Sequence, residues 1–196
     1  VLEPIWCTRR DTAKKLQGRI KIVFGFAIMS GLYEGANPAL WQDHLEHYFG
    51  KLPNTHKIKH LRSLYYSRMP VFFKRLQKQD SIVAKLLQFN ILTVVRPSEA
   101  RLAQVEEFDL KRGLWHVPWQ RMKAREPHTV PLSDPAMEII EKLRRQHNYQ
   151  FVFHGRNPDT PLCNNAVLMF LKREYKDINS TVHGFRSSFR VWAAEE

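Results

Sequence analysis

The spacing of apolar positions predicts a mainly helical chain. Thr8 and Asp11 are placed to cap a first helix whose apolar residues Leu16, Ile20, Val23 and Ala27 share one face, with Lys14, Lys15, Arg19 and Lys21 elsewhere. Gly31 and Gly35 break that run. Asn37-Pro38 then restarts a helix through Leu40, Leu45 and Phe49, ended by Gly50 with Pro53 beyond it, so residues 1 to about 55 read as a helical pair. From Lys51 to Arg68 the periodicity fades and Lys51, Lys57, Lys59, Arg62 and Arg68 accumulate with His56 and His60, the pattern of a basic linker. Helical spacing returns over 69–78 (Val71, Phe72, Leu76) and over 82–94, where Ser81 can cap a run containing Ala84, Leu86, Leu87 and Ile91.

Beyond Arg96 the pattern becomes mixed. A short helix from Pro97 to about Ala103 leads to Phe108-Asp109-Leu110, and Lys111-Arg112-Gly113 reads as a turn into a strand, Leu114 to Val117. A second strand, Thr129 to Leu132, pairs with it, so the connecting Arg121, Lys123 and Arg125 would cluster at a hairpin tip. Ser133 or Asp134 caps a helix from Pro135 to about Gln146, Phe151-Val152-Phe153 reads as a short strand, and Asn164 begins a helix through Val167, Phe170 and Leu171. A last helix holds His183-Gly184-Phe185-Arg186. The expected fold class is mainly α with a small antiparallel β-sheet, an α+β arrangement.

Composition adds a partner to this picture. With 196 residues, 43% of them hydrophobic and 12% aromatic, the chain can bury a sizeable core. Lys and Arg number 31 against 19 Asp and Glu, a net charge of +12, which sets up a field attractive to polyanions. The cations are interleaved with aromatics along the chain, so they belong to folded elements, and nucleic acid is the leading partner; a ribosomal or membrane-surface protein could carry similar charge. Cys7 and Cys163 fit neither a zinc spacing nor a disulfide framework. His44 and His47, or His56 and His60, have helical metal-ligand spacing but no companion motif such as HExxH, so no metal and no cofactor are expected. No apolar run reaches the ~20 residues of a membrane span and no signal peptide precedes the fold, which points to the cytoplasm. The chain begins without Met and stops within a continuing helical pattern, so a fragment of a longer protein is the expectation.

Two arginines and a histidine could meet at one anion. His183 and Arg186, three apart on a helix, share a face. Arg96 precedes Pro97, a favoured first helical residue, and so stands at a helix mouth where backbone N–H groups attract phosphate. Taken singly, each has a plainer reading, since His183 and Arg186 could sit on a solvated helix face and Arg96 could cap the preceding helix.

The order Arg96-Pro97-Ser98-Glu99, then Arg121-Met122-Lys123 before a His128-x-Val130-Pro131-Leu132-Ser133 strand, then His183-Gly184-Phe185-Arg186, resembles the tyrosine recombinase family, specifically prophage-type integrases. The resemblance covers roughly residues 65 to 196. It implies residues 1–60 as the end of a helical core-binding domain plus a basic linker, and 61–196 as a catalytic domain stopping before its tyrosine nucleophile. It also implies a clamp around duplex DNA and strand exchange through a 3′-phosphotyrosine, without metal. By the same resemblance Arg96 and Arg186 bind the scissile phosphate, Lys123 protonates the leaving 5′-oxygen, His183 handles the nucleophile's proton or orients the phosphate, and Glu99 supports Arg96. Lys14, Lys15, Arg19, Lys57, Lys59, Arg121 and Arg125 are candidate DNA contacts. Self-assembly into a tetramer on DNA and accessory DNA-bending proteins are the implied partners.

The sequence departs from the family pattern in places. Val94 replaces a Gly often found two residues before the first arginine, Ser98 replaces a Gly after Pro97, and Val105 stands where a Trp is common, changes that bear on loop geometry and packing. All six tyrosines (Tyr33, Tyr48, Tyr65, Tyr66, Tyr149 and Tyr175) precede His183, so none holds the nucleophile position. Two functions follow from this: a DNA strand transferase whose nucleophile lies beyond Glu196, or a DNA-binding remnant or regulator that has lost cleavage. An in-frame tyrosine soon after Glu196 in the parent would favour the first.

Overall fold

The computed structural model describes residues 1–50, 62–122 and 125–196. The chain divides into a first unit, Val1–Lys59, and a second, His60–Glu196.

In the first unit, α1 (Glu3–Trp6) leads into the 20-residue α2 (Arg10–Met29), followed by a kinked segment, Trp41–Leu45, and α3 (Glu46–Phe49). Trp6 is the centre of packing here, stacked on Trp41 at 5.2 Å and on Phe49 at 4.5 Å, with Leu2, Ala13, Leu16 and Ile20 around it. The apolar stripe expected on α2 is therefore buried only in its first half, because Val23 is 64% exposed. Capping differs as well: Arg9 occupies the N-cap position without a side-chain bond, while the Thr8 hydroxyl donates to Pro4 O. No regular helix starts at Asn37. Its Oδ1 accepts the Ala39 N–H and its Nδ2 donates to Lys21 O, a local turn that competes with helix, and Gln42 (ψ 137°) and Asp43 (φ 60°) interrupt the backbone again.

The second unit is built around one helix. It begins with α4 (Met69–Gln77) and α5 (Ile82–Thr93), then α6 (Pro97–Arg101). The Ser81 hydroxyl caps α5 by accepting the Ala84 N–H. A helix apolar on all sides has to be surrounded. α5 buries Ala84, Leu86, Leu87 and Phe89 on more than one face and packs against α4 and α6, and also against α7 (Asp134–Gln146), α8 (Ala166–Glu174) and α9 (Val182–Glu195). Two of its buried amides donate internally, Gln88 to Leu76 O and Asn90 to Leu86 O, while Asn90 Oδ1 meets no hydrogen-bond partner among the described residues.

A three-stranded antiparallel sheet, ordered β1 (Phe108–Asp109), β2 (Leu114–Val117), β3 (His128–Pro131), completes this unit. The mainly α fold with a small antiparallel sheet is thus as the sequence predicts. Trp115, fully buried, faces Val130 across β2–β3 and stacks on Phe108 at 5.4 Å. β1 is an addition to the expected hairpin; it forms because Gly113, at φ 64°, lets the chain reverse and pair Phe108 with Trp115. Phe151-Val152-Phe153, in contrast, forms no strand. The segment makes single bridges, Gln104↔Phe151 and His154↔Pro161, and its apolar run serves to plug the core, Val152 and Phe153 being wholly buried.

At the end of α7 the His147 ring stacks on Tyr149 at 4.8 Å and meets the edge of His154 at 4.5 Å. Both of its ring nitrogens are buried and meet no hydrogen-bond partner among the described residues. Burial first, and the neighbouring His154 second, lower its pKa below the usual 6.5. The unfolded chain then binds a proton at pH values where the folded one resists it, so this contribution to stability is present above about pH 6.5 and is lost as pH falls through it. Urea denaturation from pH 7.5 to 5.5 should show a falling midpoint, and His147→Phe, which keeps the stacking, should flatten that fall.

Candidate active site

The site starts where α5 ends. Val94 adopts a left-handed conformation, φ 54° and ψ 20°, and turns the chain out of the helix; Val95 is buried and Arg96 is extended at the N-cap of α6, with Pro97 in the first turn. Left-handed backbone costs a non-glycine residue ~1–3 kcal/mol, the more so when it is β-branched. Val94→Gly should relieve this strain, and after about 0.4–1 kcal/mol is deducted for glycine's freedom in the unfolded chain, a net gain on the order of 1 kcal/mol remains. The second unit should melt roughly 3 °C higher in calorimetry.

Arg96 is held by Glu99. One carboxylate oxygen accepts the Arg96 backbone N–H at 2.9 Å and the other accepts Nη1 at 2.7 Å. The Glu99 side chain is 3% exposed, whereas that of Arg96 keeps 37%, so the guanidinium is tethered at one end and open to a ligand.

Arg186 reaches the same place from α9. Its Nη1 donates to the carbonyl of Val94 at 2.9 Å, two residues before Arg96. α9 is oriented by three features of its first turn. The Thr181 hydroxyl accepts the Gly184 N–H at 3.0 Å, Phe185 stacks on Phe72 at 5.2 Å, and the Thr181 N–H donates to Arg62 O at 3.0 Å. His183 lies one turn before Arg186 and is exposed. The structure thus brings Arg96, Glu99 and Arg186 together around the α5–α6 junction, with His183 on the same helix as Arg186.

Of the three cations expected at the hairpin tip, Arg121 and Arg125 are described, and Arg121 does not point to a tip. Arg121, at the end of a short 3-10 turn (Trp119–Arg121), is directed inward: it pairs with Glu107, donates to Glu99 O at 3.2 Å, and its side chain is 14% exposed. Arg125 is exposed, with φ 57°. Lys123 lies outside the described residues, as do Lys57 and Lys59. Lys14, Lys15 and Arg19 are exposed on α2. In the first unit Asp43, Glu46 and His47 each bring a ligand atom within 4.8 Å of the others, a spacing that surface acidic groups commonly reach without a metal. The Val94 carbonyl and Glu107 were missed because neither carries a motif; their roles exist only once distant segments meet.

Residues 62–196 match the model of the phage integrase family. The chain belongs to that family. Among curated relatives, this integrase-family chain is 34% identical to the prophage integrase IntZ of Escherichia coli (strain K12) over 185 residues, covering 93% of the chain and 44% of the relative. It is 30% identical to the integrase of Enterobacteria phage P4 over 200 residues, again 93% of the chain and 44% of the relative. It therefore spans less than half the length of these curated relatives. Its fold matches the lambda integrase(75-356) dimer bound to a COC′ core site with a TM-score of 0.67 at 15% identity, over 99% of this chain and 71% of that one. It also matches the Tn1549 transposon integrase in complex with a circular intermediate DNA, at a TM-score of 0.65 and 14% identity, over 94% and 67%. The tyrosine recombinase resemblance read from the three motifs is confirmed by these matches.

Proposed function

We propose that the full-length protein is a site-specific DNA recombinase that cuts and rejoins duplex DNA through a 3′-phosphotyrosine, and that Arg96 and Arg186 hold the scissile phosphate. The observation that carries this reading is the bond from Arg186 to the Val94 carbonyl, two residues before Arg96 at a helix N-terminus. Two forked, permanently charged donors there suit the oxygens of a phosphoryl group passing through a five-coordinate state, where added negative charge develops on the equatorial oxygens. A tyrosine oxygen attacks phosphorus, the bond to the 5′-oxygen breaks, and that oxygen takes a proton; Lys123 is the proposed donor, since a mobile titratable cation suits the task. His183 takes the tyrosine's proton or orients the phosphate. Rejoining reverses each step, so no metal or cofactor is called for.

Residues 1–60 are assigned on this reading to the end of a core-binding domain, and 61–196 to the catalytic domain. Lys14, Lys15, Arg19, Lys57, Lys59 and Arg125 are assigned to the phosphate backbone. The active form is a tetramer on DNA, with accessory DNA-bending proteins as further partners. No described helix is long and apolar enough to cross a membrane, and an enzyme acting on DNA would work in the cytoplasm. The 196-residue chain alone is expected to bind duplex DNA with steep salt dependence, a slope of about −0.9 per phosphate contact, and to cleave nothing, because every tyrosine precedes His183.

The test is covalent capture. Incubated with a nicked duplex carrying its recombination site, the full-length protein should form a protein–DNA adduct that survives denaturant. Tight binding with no adduct would replace this reading with that of a DNA-binding remnant.

A further inference from the structure

Resting on the recombinase reading, we infer that Arg121 is a positioning residue that locks the Arg96–Glu99 pair against the sheet, and that it does not contact DNA. Arg121 is buried to 14% exposure, and its partner Glu107 to 8%. One guanidinium nitrogen pairs with Glu107 Oε2, an oxygen that also accepts the indole N–H of Trp115 at 2.9 Å. The other end of the fork donates to the Glu99 carbonyl at 3.2 Å. Glu99 in turn grips Arg96 through both carboxylate oxygens.

A continuous path therefore runs from the buried Trp115 of β2 through Glu107 and Arg121 to the first turn of α6. Its components have separate tasks. Trp115, stacked in the core, fixes Glu107; Glu107 neutralises and orients Arg121; Arg121 pins the backbone of the residue that aims Arg96. The planar fork holds two acceptors on different elements from two separate nitrogens in one fixed plane, a spacing that an ammonium, with its donors on a single nitrogen, does not reproduce. With one donor on each terminal nitrogen turned to a protein acceptor, its Nε buried without a partner among the described residues, and little surface left, Arg121 is poorly placed to reach a phosphate backbone.

The experiment compares wild-type full-length protein with Arg121→Lys, Arg121→Gln and the double variant Arg121→Gln/Glu107→Gln, which leaves no unpaired buried charge. Salt dependence of DNA binding is measured together with single-turnover cleavage at saturating DNA. Cleavage is followed on an ordinary substrate and on one whose bridging 5′-oxygen is sulfur, which leaves without a proton. The salt slope should match wild type in all three variants, and cleavage should fall about 100-fold, the usual consequence of misplacing a reacting group by an ångström. The double variant should regain folding stability without regaining rate. Neither lysine nor sulfur should rescue the rate, because the defect lies at Arg96.

A salt slope smaller by about one would mean a direct phosphate contact and overturn the inference. Wild-type cleavage by Arg121→Lys or Arg121→Gln would also overturn it, and so would rescue by sulfur, which would move the role to the lysine. A wild-type protein that makes no adduct counts against the recombinase reading, and the inference falls with it; normal wild-type cleavage with normal variants sinks the inference alone.

Discussion

Arg186→Ala should lower strand cleavage by the full-length protein about 10³-fold, corresponding to ~4 kcal/mol of transition-state stabilisation, while DNA binding changes little. On the proposed recombinase reading, binding energy is spread over many phosphate contacts, whereas the charge that develops in the five-coordinate state is local. The structure adds a second effect, because the same guanidinium donates to the Val94 carbonyl and so helps hold the α5–α6 junction. Losing that bond costs stability of only ~1 kcal/mol, too little to unfold a domain, so a folded and DNA-binding variant without cleavage is the expected outcome. Arg186→Lys keeps a charge but loses the fork, and should stay well below the wild-type rate. Quench-flow cleavage assays, read beside melting temperature and DNA affinity, separate the two effects. Near wild-type cleavage by the alanine variant would remove Arg186 from the phosphate site.

Gly184→Ala should destabilise the second unit by ~3 kcal/mol, although alanine is the better helix former by about 1 kcal/mol. A Cβ at Gly184 would lie 2.1 Å from the Arg62 carbonyl oxygen and 2.8 Å from the Ser180 hydroxyl. The first obstacle is backbone, which cannot rotate aside, so α9 has to move by about an ångström or more. Such a shift stretches the Thr181 N–H bond to Arg62 O, and the Ser188 hydroxyl bond to Leu64 O with it. His183 and Arg186 ride on the displaced helix, so cleavage should fall together with the melting temperature, which should drop by roughly 10 °C. An alanine variant as stable as wild type in thermal melts would mean that α9 is not seated on Arg62 in this way.

Much of the fold was legible because its signals are local. Ser81 announces α5 by a capping geometry that needs only three residues, and the alternation of Leu114–Val117 and Thr129–Leu132 suffices to pair β2 with β3. Arg96-Pro97-Ser98-Glu99 could be read as a helix mouth holding a cation because Pro97 suits a first helical turn; Glu99 entered as the support of Arg96 only through the family resemblance, and in the structure it reaches back to Arg96 within one turn. The misreadings have equally specific causes. Asn37 reads as a helix start and makes a turn, because its side chain bonds to Ala39 and to Lys21, 16 residues away. Phe151 to Phe153 has the composition of a strand, yet among the described residues it makes only the single bridge from Phe151 to Gln104 and buries Val152 and Phe153 in the core.

The sequence by itself determined the helical and strand segments, the basic character of the surface, the family, and the candidates Arg96, Glu99, His183 and Arg186. Those follow from residue type and from spacing within a turn or two, except the family and Glu99, which follow from the resemblance carried by the three ordered motifs. Tertiary structure alone decided that Arg186 meets the chain at Val94, 92 residues earlier, that Val94 must adopt a left-handed turn to offer its carbonyl, and that Arg121 faces Glu107 and Glu99. A side chain's charge is written in the sequence. Which partner consumes that charge depends on segments that meet only after the core around α5 has closed.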